Sequence, residues 1–293
     1  MGRHRPSSDN PLEIRLNRVA KTIIRRAMRE DLGKRGDITT RATVPTDQIG
    51  EAVIIAKSEG IIAGQKIAAE VFRSLEKTIR YDILVPDGQP VDSKTEIARL
   101  SGRLWAILAG ERTALNIMGR ACGIATLTGR YVQAVDGTNA RITETRKTAP
   151  GLRYIDKAAV ITGGGVNHRY ALYDAFLLKE NHIAAVGSIG AAIEACRRYS
   201  DRYGHYRVMV EARDWNEFQQ ALSAEPDRIL LDNMTPEQIK ACVDVRTGDV
   251  ELEATGGITL DNVHQYAETG VDYISIGALT HSVTVMDLSL LVV

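Results

Sequence analysis

The chain has 293 residues, enough for one large domain or two ordinary ones, each with a full core. Its hydrophobic fraction of 44% and charged fraction of 25% are those of a soluble globular protein, and Lys plus Arg balances Asp plus Glu at 37 each. No overall field favours nucleic acid or an anionic membrane, and no apolar run reaches the length of a membrane span, so neither partner is expected and any anion site must be local.

Residues 1–10 read as a disordered lead. After Pro11, the residues Leu12, Leu16, Val19, Ile23 and Ala27 recur at helical spacing, with Arg15, Arg18, Arg25, Arg26 and Arg29 among them. An Arg-rich amphipathic helix can be a transit peptide. Here it runs straight into EDLGKRGDITT (30–40), so it is read as the first helix of the folded domain. From about residue 50 to 110 alternating segments and turn signals at Gly60 and Asp87-Gly88 predict antiparallel strands, with one helix over 65–77. A long helical pattern fills 103–134, with a break expected near Gly119 or Gly123. The three cysteines, Cys122, Cys196 and Cys242, are odd in number, far apart and without CxxC spacing. They argue against a disulfide framework or zinc site and for reduced thiols in a cytoplasmic setting.

From residue 141 the pattern changes. Six β-like runs, at 141–145, 175–180, 206–212, 228–233, 250–255 and 273–278, are separated by helical stretches. This implies βαβ units and a parallel sheet. The spacing after the second run, about 22 to 31 residues, is tight enough for a βα barrel, although six strands fall short of eight. The runs end in polar residues or glycine: Thr145, Arg146 and Lys147; Lys179; Glu211; Asp232; Thr255, Gly256 and Gly257; and Gly277. In a βα barrel such ends converge on the active site.

Arg146, Lys147, His168, Arg169 and Lys179 would repel one another in a confined pocket unless an anion joined them, and the guanidinium fork suits a carboxylate or a phosphate. The glycine-rich turns at 254–258 and 275–279 suit a phosphate held by backbone N–H groups. Glu211 and Asp232 can hold a sugar diol, coordinate Mg²⁺, stabilise charge at an anomeric carbon, or merely pair with the lysines. A sugar phosphate plus a multivalent acid uses all three sets.

The segments ETRKTAPGLR (144–153), GGGVNHRYALYDAFLLKENHI (163–183) and ERTALN (111–116) resemble the signature of the quinolinate phosphoribosyltransferase family. EDLGKRGDITT, GIATLTGRYV (123–132), ILLDNM (229–234), EATGGI (253–258) and ISIGALTHS (274–282) match it in the same order, so the resemblance runs from about residue 12 onward. It implies an α/β protein with an N-terminal α/β sandwich domain (1–125) and an incomplete, open, TIM-like β/α barrel (126–281), with 282–293 packing back on the first domain. It also implies a Mg²⁺-dependent decarboxylating reaction of quinolinate with phosphoribosyl pyrophosphate, in NAD biosynthesis.

By position, Arg146, His168, Arg169 and Lys179 would surround quinolinate, with Thr145 beside them and Arg112 entering from the partner subunit of a homodimer. Lys147, Glu211 and Asp232 would face the phosphoribosyl group and the metal, directly or through water. Lys147, Lys179, Glu211 and Asp232 are the catalytic candidates. The backbone of Thr255, Gly256, Gly257 and Gly277 would hold the 5-phosphate. Dimers of this family can assemble further, to hexamers. Thr255 and Cys122 stand where the family commonly has Ser. The readings weighed against this one are a related phosphoribosyltransferase acting on nicotinate or another pyridine, an aldolase using Lys179, and a catalytically silent protein that keeps the fold.

Overall fold

The computed structural model describes residues 11–293; the disordered lead expected at 1–10 lies outside them, as do the side chains of Leu12, Arg15 and Leu16. The chain opens with α1 (Pro11–Leu32), α2 (Ile38–Thr43), β1 (Ile49–Ala56), β2 (Gly60–Ile61) and α3 (Gln65–Leu75). It continues through β3 (Arg80–Ile83), β4 (Pro90–Val91), β5 (Glu96–Arg103) and α4 (Leu104–Ala134). Next come β6 (Arg141–Thr143), α5 (Arg153–Thr162), β7 (Phe176–Leu178), α6 (Glu180–Val186), α7 (Ile189–Tyr203), β8 (Val208–Ala212) and α8 (Trp215–Ser223). The last elements are β9 (Arg228–Asp232), α9 (Pro236–Val245), β10 (Glu251–Thr255), α10 (Val263–Ala267), β11 (Tyr273–Ser275), α11 (Ala278–His281) and β12 (Leu288–Val292). They form two compact units. One runs to Thr126 and includes Thr148–Gly163 and Val283–Val293; the other comprises Leu127–Lys147 and Gly164–Ser282.

The first unit is built on an antiparallel sheet of order β12-β1-β5-β3. Its apolar face takes α3, whose Val71 and Phe72 are fully buried. Gln65 ties the helix down, donating its amide to the carbonyls of Val85 and Ile97, both at 3.0 Å. On α1 the expected stripe is one residue out of register: Ala20, Ile24 and Met28 are buried, while Val19 is exposed. Both series have helical spacing, so spacing alone does not choose between them; the helix faces that α1 meets, on α3 and α5, do. α1 also continues to Leu32, and α2 begins separately, capped by Asp37 accepting from the Thr40 N–H at 3.0 Å.

α4 is not broken at Gly119 or Gly123 but runs 31 residues without interruption. The glycines are there because the C-terminal segment crosses the helix in contact with its backbone. The Met286 N–H donates to the Gly119 carbonyl at 3.0 Å. A Cβ on Gly119 would sit 2.7 Å from the Met286 carbonyl oxygen, and one on Gly123 would run into the Thr284 carbonyl. Beside this crossing Arg120 forks onto Asp156, at 2.8 and 2.7 Å. Asp156 is wholly buried and also accepts from the Ala149 N–H at 3.1 Å, so it fixes the start of the 148–152 loop against α5.

The second unit carries six parallel strands in the order β6-β11-β10-β9-β8-β7. This is chain order around a ring, with one opening between β6 and β7, as in an incomplete barrel. At that opening β6 meets a single bridge, Thr143 to Val166, instead of a strand. Alternate residues point to opposite faces. Ile229, Leu231, Leu252, Ala254, Ile274 and Ile276 are almost fully buried beneath the helices. The residues between them face the barrel interior.

The close approach at α4 reverses a familiar rule. Gly→Ala in an ordinary helix interior stabilises by about 0.5–1 kcal/mol. Gly123→Ala should instead destabilise the protein by about 1–3 kcal/mol through overpacking against Thr284. Urea unfolding of this variant beside the parent measures the sign.

Candidate active site

The C-terminal ends of the six parallel strands close around one cavity of about 720 Å³. Its wall follows the period-two register of the sheet. Leu177 and Lys179, Leu230 and Asp232, Glu253 and Thr255, and Ser275 and Gly277 each contribute two positions two residues apart, and Glu211 contributes one. β8 and β10 end where the sequence suggests, at Ala212 and Thr255, but β6 stops at Thr143, so Thr145, Arg146 and Lys147 occupy the loop that follows it. His168 and Arg169 reach the same cavity from the stretch after the Val166 bridge. Every site residue named from the sequence therefore lines this cavity except Arg112. That arginine is exposed on α4 in the first unit, 3.7 Å from Glu111.

Among the described residues the cavity's cations are incompletely matched. Lys179 pairs with Glu211, which satisfies one lysine and one carboxylate. Arg169 donates one guanidinium N–H to the Ala175 carbonyl at 3.0 Å. The buried Nε atoms of both Arg146 and Arg169 have no hydrogen-bond partner. Burial, and after it the positive charge of Arg146, holds the Arg169 guanidinium below its usual value. Two guanidinium groups that disfavour each other and keep buried donors unused have the chemistry to receive a carboxylate.

The glycine-rich turns sit where backbone N–H groups are exposed. Gly256 and Gly257 have φ of +92° and +65°, and Asn233 opposite them has φ of +56°. Gly256 must lack a side chain because the Asn233 amide occupies the space a Cβ would take. The helices expected beyond these turns are short, with five residues in α10 and four in α11. Backbone N–H groups, more than a helix dipole, are thus what the turns offer an anion. Asp232 is half-buried, and no hydrogen bond or ion pair engages its side chain among the described residues. No cluster of three or more His, Cys, Asp or Glu side chains is set to hold a metal ion among them. The three cysteines are free and buried, with burial pushing the Cys122 thiol up to about 12 and the Cys242 thiol to about 11, so neither serves as a nucleophile at neutral pH.

Sequence reading missed Glu253, a wholly buried carboxylate in the cavity floor, along with Ser275. The signal was the strand period: Glu253 and Ser275 lie two residues before Thr255 and Gly277 on the same inward face. No helix of the described residues is long and apolar enough to cross a membrane.

Known proteins resemble this chain in sequence and fold. The chain is 42% identical over 277 residues to the nicotinate-nucleotide pyrophosphorylase (carboxylating) of Mycobacterium leprae, covering 93% of this chain and 96% of that one. It is 40% identical over 271 residues to the probable enzyme of the same name from Bacillus subtilis, covering 92% of each. The solved structure of the nicotinate-nucleotide pyrophosphorylase from Francisella tularensis superposes with a TM-score of 0.87 at 37% identity, covering 94% of this chain and 97% of that chain. The family models for the N-terminal and C-terminal domains of quinolinate phosphoribosyl transferase match residues 37–122 and 124–291, and the chain belongs to that family.

Proposed function

We propose that this protein is a decarboxylating quinolinate phosphoribosyltransferase, joining quinolinate to phosphoribosyl pyrophosphate to give nicotinate mononucleotide, pyrophosphate and CO₂ on the way to NAD. The observation that carries the reading is the pair of buried, unused Nε donors of Arg146 and Arg169 in one cavity. A dicarboxylate supplies the acceptors and the charge they lack. Thr145, His168 and Lys179 complete its surroundings.

The chemistry then follows from what these side chains hold in place. The pyridine nitrogen attacks the anomeric carbon, the bond to pyrophosphate breaks, and the sugar passes through a state with oxocarbenium character. Holding both substrates turns a bimolecular step into an intramolecular one, worth on the order of 7–11 kcal/mol. Lys147 faces the phosphoribosyl group, the carboxylates of Glu211 and Asp232 offset positive charge on the ribose, and the N–H groups at Thr255–Gly257 and Gly277 hold its phosphate. Once quaternary, the ring nitrogen accepts the electron pair released as the adjacent carboxylate departs as CO₂, and the carbon left behind takes up a proton.

Mg²⁺ fits as a partner of the second substrate. Two carboxylates at neighbouring strand ends, Glu211 and Asp232, are the donors it takes alongside substrate phosphates, and it would neutralise charge on the pyrophosphate leaving group. Free, buried thiols suit a reducing compartment such as the cytoplasm.

Incubation with quinolinate, phosphoribosyl pyrophosphate and Mg²⁺ should release nicotinate mononucleotide and CO₂; turnover of nicotinate in place of quinolinate, with none of quinolinate, refutes the reading. Arg169→Ala should leave the fold intact and weaken quinolinate binding by about 1.5–3 kcal/mol, read by calorimetry. Glu211→Gln and Asp232→Asn should lower turnover at saturating Mg²⁺ far more than they weaken quinolinate binding. If both keep parental turnover, the carboxylates have no part in the chemistry.

Arg112 belongs to the same proposal. It is exposed and outside its own chain's cavity, as expected of a residue that completes the site of a second copy in a homodimer. A two-fold interface is reciprocal, so each dimer would hold two composite sites. Mixing inactive Arg112→Ala with inactive Arg169→Ala subunits should restore activity to about a quarter of sites, because a heterodimer has one site with both lesions and one with neither. No recovery, with subunit exchange verified by mass spectrometry, excludes a shared site.

A further inference from the structure

Glu253 lies in the floor of the cavity, wholly buried, on the inward register of β10. Its Oε2 accepts from Arg228 Nη1 at 2.7 Å. Its Oε1 is buried without a hydrogen bond and faces His168 Nε2 at 3.5 Å. On the other side of the imidazole, the Arg169 backbone N–H donates to His168 Nδ1 at 2.8 Å. A nitrogen that accepts a hydrogen bond carries no proton, so the proton of a neutral imidazole must sit on Nε2, toward Glu253. Turning the ring over exchanges both nitrogens for carbons and leaves neither the Arg169 N–H nor the Glu253 oxygen a partner.

From this arrangement we infer that Glu253 is a positioning residue. It holds His168 in the neutral Nε2–H tautomer, so that His168 Nδ1 can anchor the backbone of Arg169 and aim its guanidinium at the substrate carboxylate. A carboxylate is required because two donors converge on it, Arg228 and His168, and each needs an oxygen of its own. An amide has only one. In Glu253→Gln the guanidinium of Arg228, which cannot give up its protons, keeps that oxygen and the NH₂ group faces His168. The imidazole must then present a lone pair at Nε2 and carry its proton on Nδ1. That proton meets the Arg169 N–H head on, and the anchor is lost. Glu251 continues to hold Arg228 through Nε at 2.9 Å and Nη2 at 2.8 Å, so the floor itself remains paired.

The inference about binding rests on the proposed function; the inference about the tautomer does not. Long-range ¹H–¹⁵N correlation spectra of histidine-labelled full-length protein, with the His168 signal identified by its loss in His168→Gln, should show a neutral ring protonated on Nε2. In Glu253→Gln the proton should move to Nδ1. Calorimetry should then record at least a tenfold weaker quinolinate affinity with phosphoribosyl pyrophosphate binding, in Mg²⁺, changed less than twofold. A parental His168 protonated on Nδ1 or on both nitrogens overturns the inference, and this arm decides the matter even if the variant does not fold. An unmoved tautomer in Glu253→Gln overturns it too, as does parental quinolinate affinity once the tautomer has moved. If the unsubstituted protein fails to bind quinolinate, the functional reading falls, while the spectra still report on Glu253.

Discussion

Charge buried inside a curled parallel sheet is the constraint on which this site depends. Helices cover the outer face of the second unit's sheet, so the outward residues of each strand must be apolar. The inward residues converge on a narrow interior, where a lone charge is far more costly than in water. The chain meets this with a paired layer below the cavity. Arg228 forks onto Glu251 and Glu253, and the Tyr273 ring lies 3.5 Å from its guanidinium carbon. Arg141 covers the same ring at 4.2 Å. The members of this layer pair with one another, and they form a floor two to four residues before the strand ends.

Above the floor the balance is deliberately incomplete. Lys179 and Glu211 settle each other, while Arg146 and Arg169 retain buried donors with nothing to receive them. Unsatisfied buried donors destabilise a protein, and in the proposed function the substrate's carboxylates would supply their acceptors. Under the proposed function these donors are already desolvated, so little reorganisation would remain when a dicarboxylate binds.

The first unit follows a different logic, that of backbone contact. Glycines in a long helix ordinarily suggest a break, since they weaken helical preference. In α4 they instead form a flat strip on which the segment 284–286 lies, with a main-chain hydrogen bond to Gly119. The conformational penalty of glycine is offset by contacts that any side chain would prevent. The shift of the buried stripe on α1 from Val19 and Ile23 to Ala20 and Ile24 has a related origin, because the surfaces it meets choose between two equally periodic faces.

Local order along the chain was legible from the residues alone. Short β-like runs marked all six parallel strands, helical spacing marked most of the helices between them, and the charged residues at the strand ends pointed to an anion site. The motifs around Arg146, Arg169 and Lys179 were specific enough to carry a family resemblance. These readings succeed because they depend on neighbours two to four residues apart, whose relation the backbone geometry sets. Helices α5 and α6 were missed, and the ends of β6, β7, β9 and β11 were placed late, since polar residues at a boundary suit a loop as well as a strand. What tertiary structure alone decided are relations across long stretches of chain: Gly123 against Thr284, Asp156 under Arg120, and Glu253 behind His168. Nothing in the local pattern of HisArg or GluAlaThr says that one carboxylate oxygen will face one imidazole nitrogen. That depends on how the sheet curls and how the register stacks, and only the folded chain brings residues 85 positions apart to within 3.5 Å.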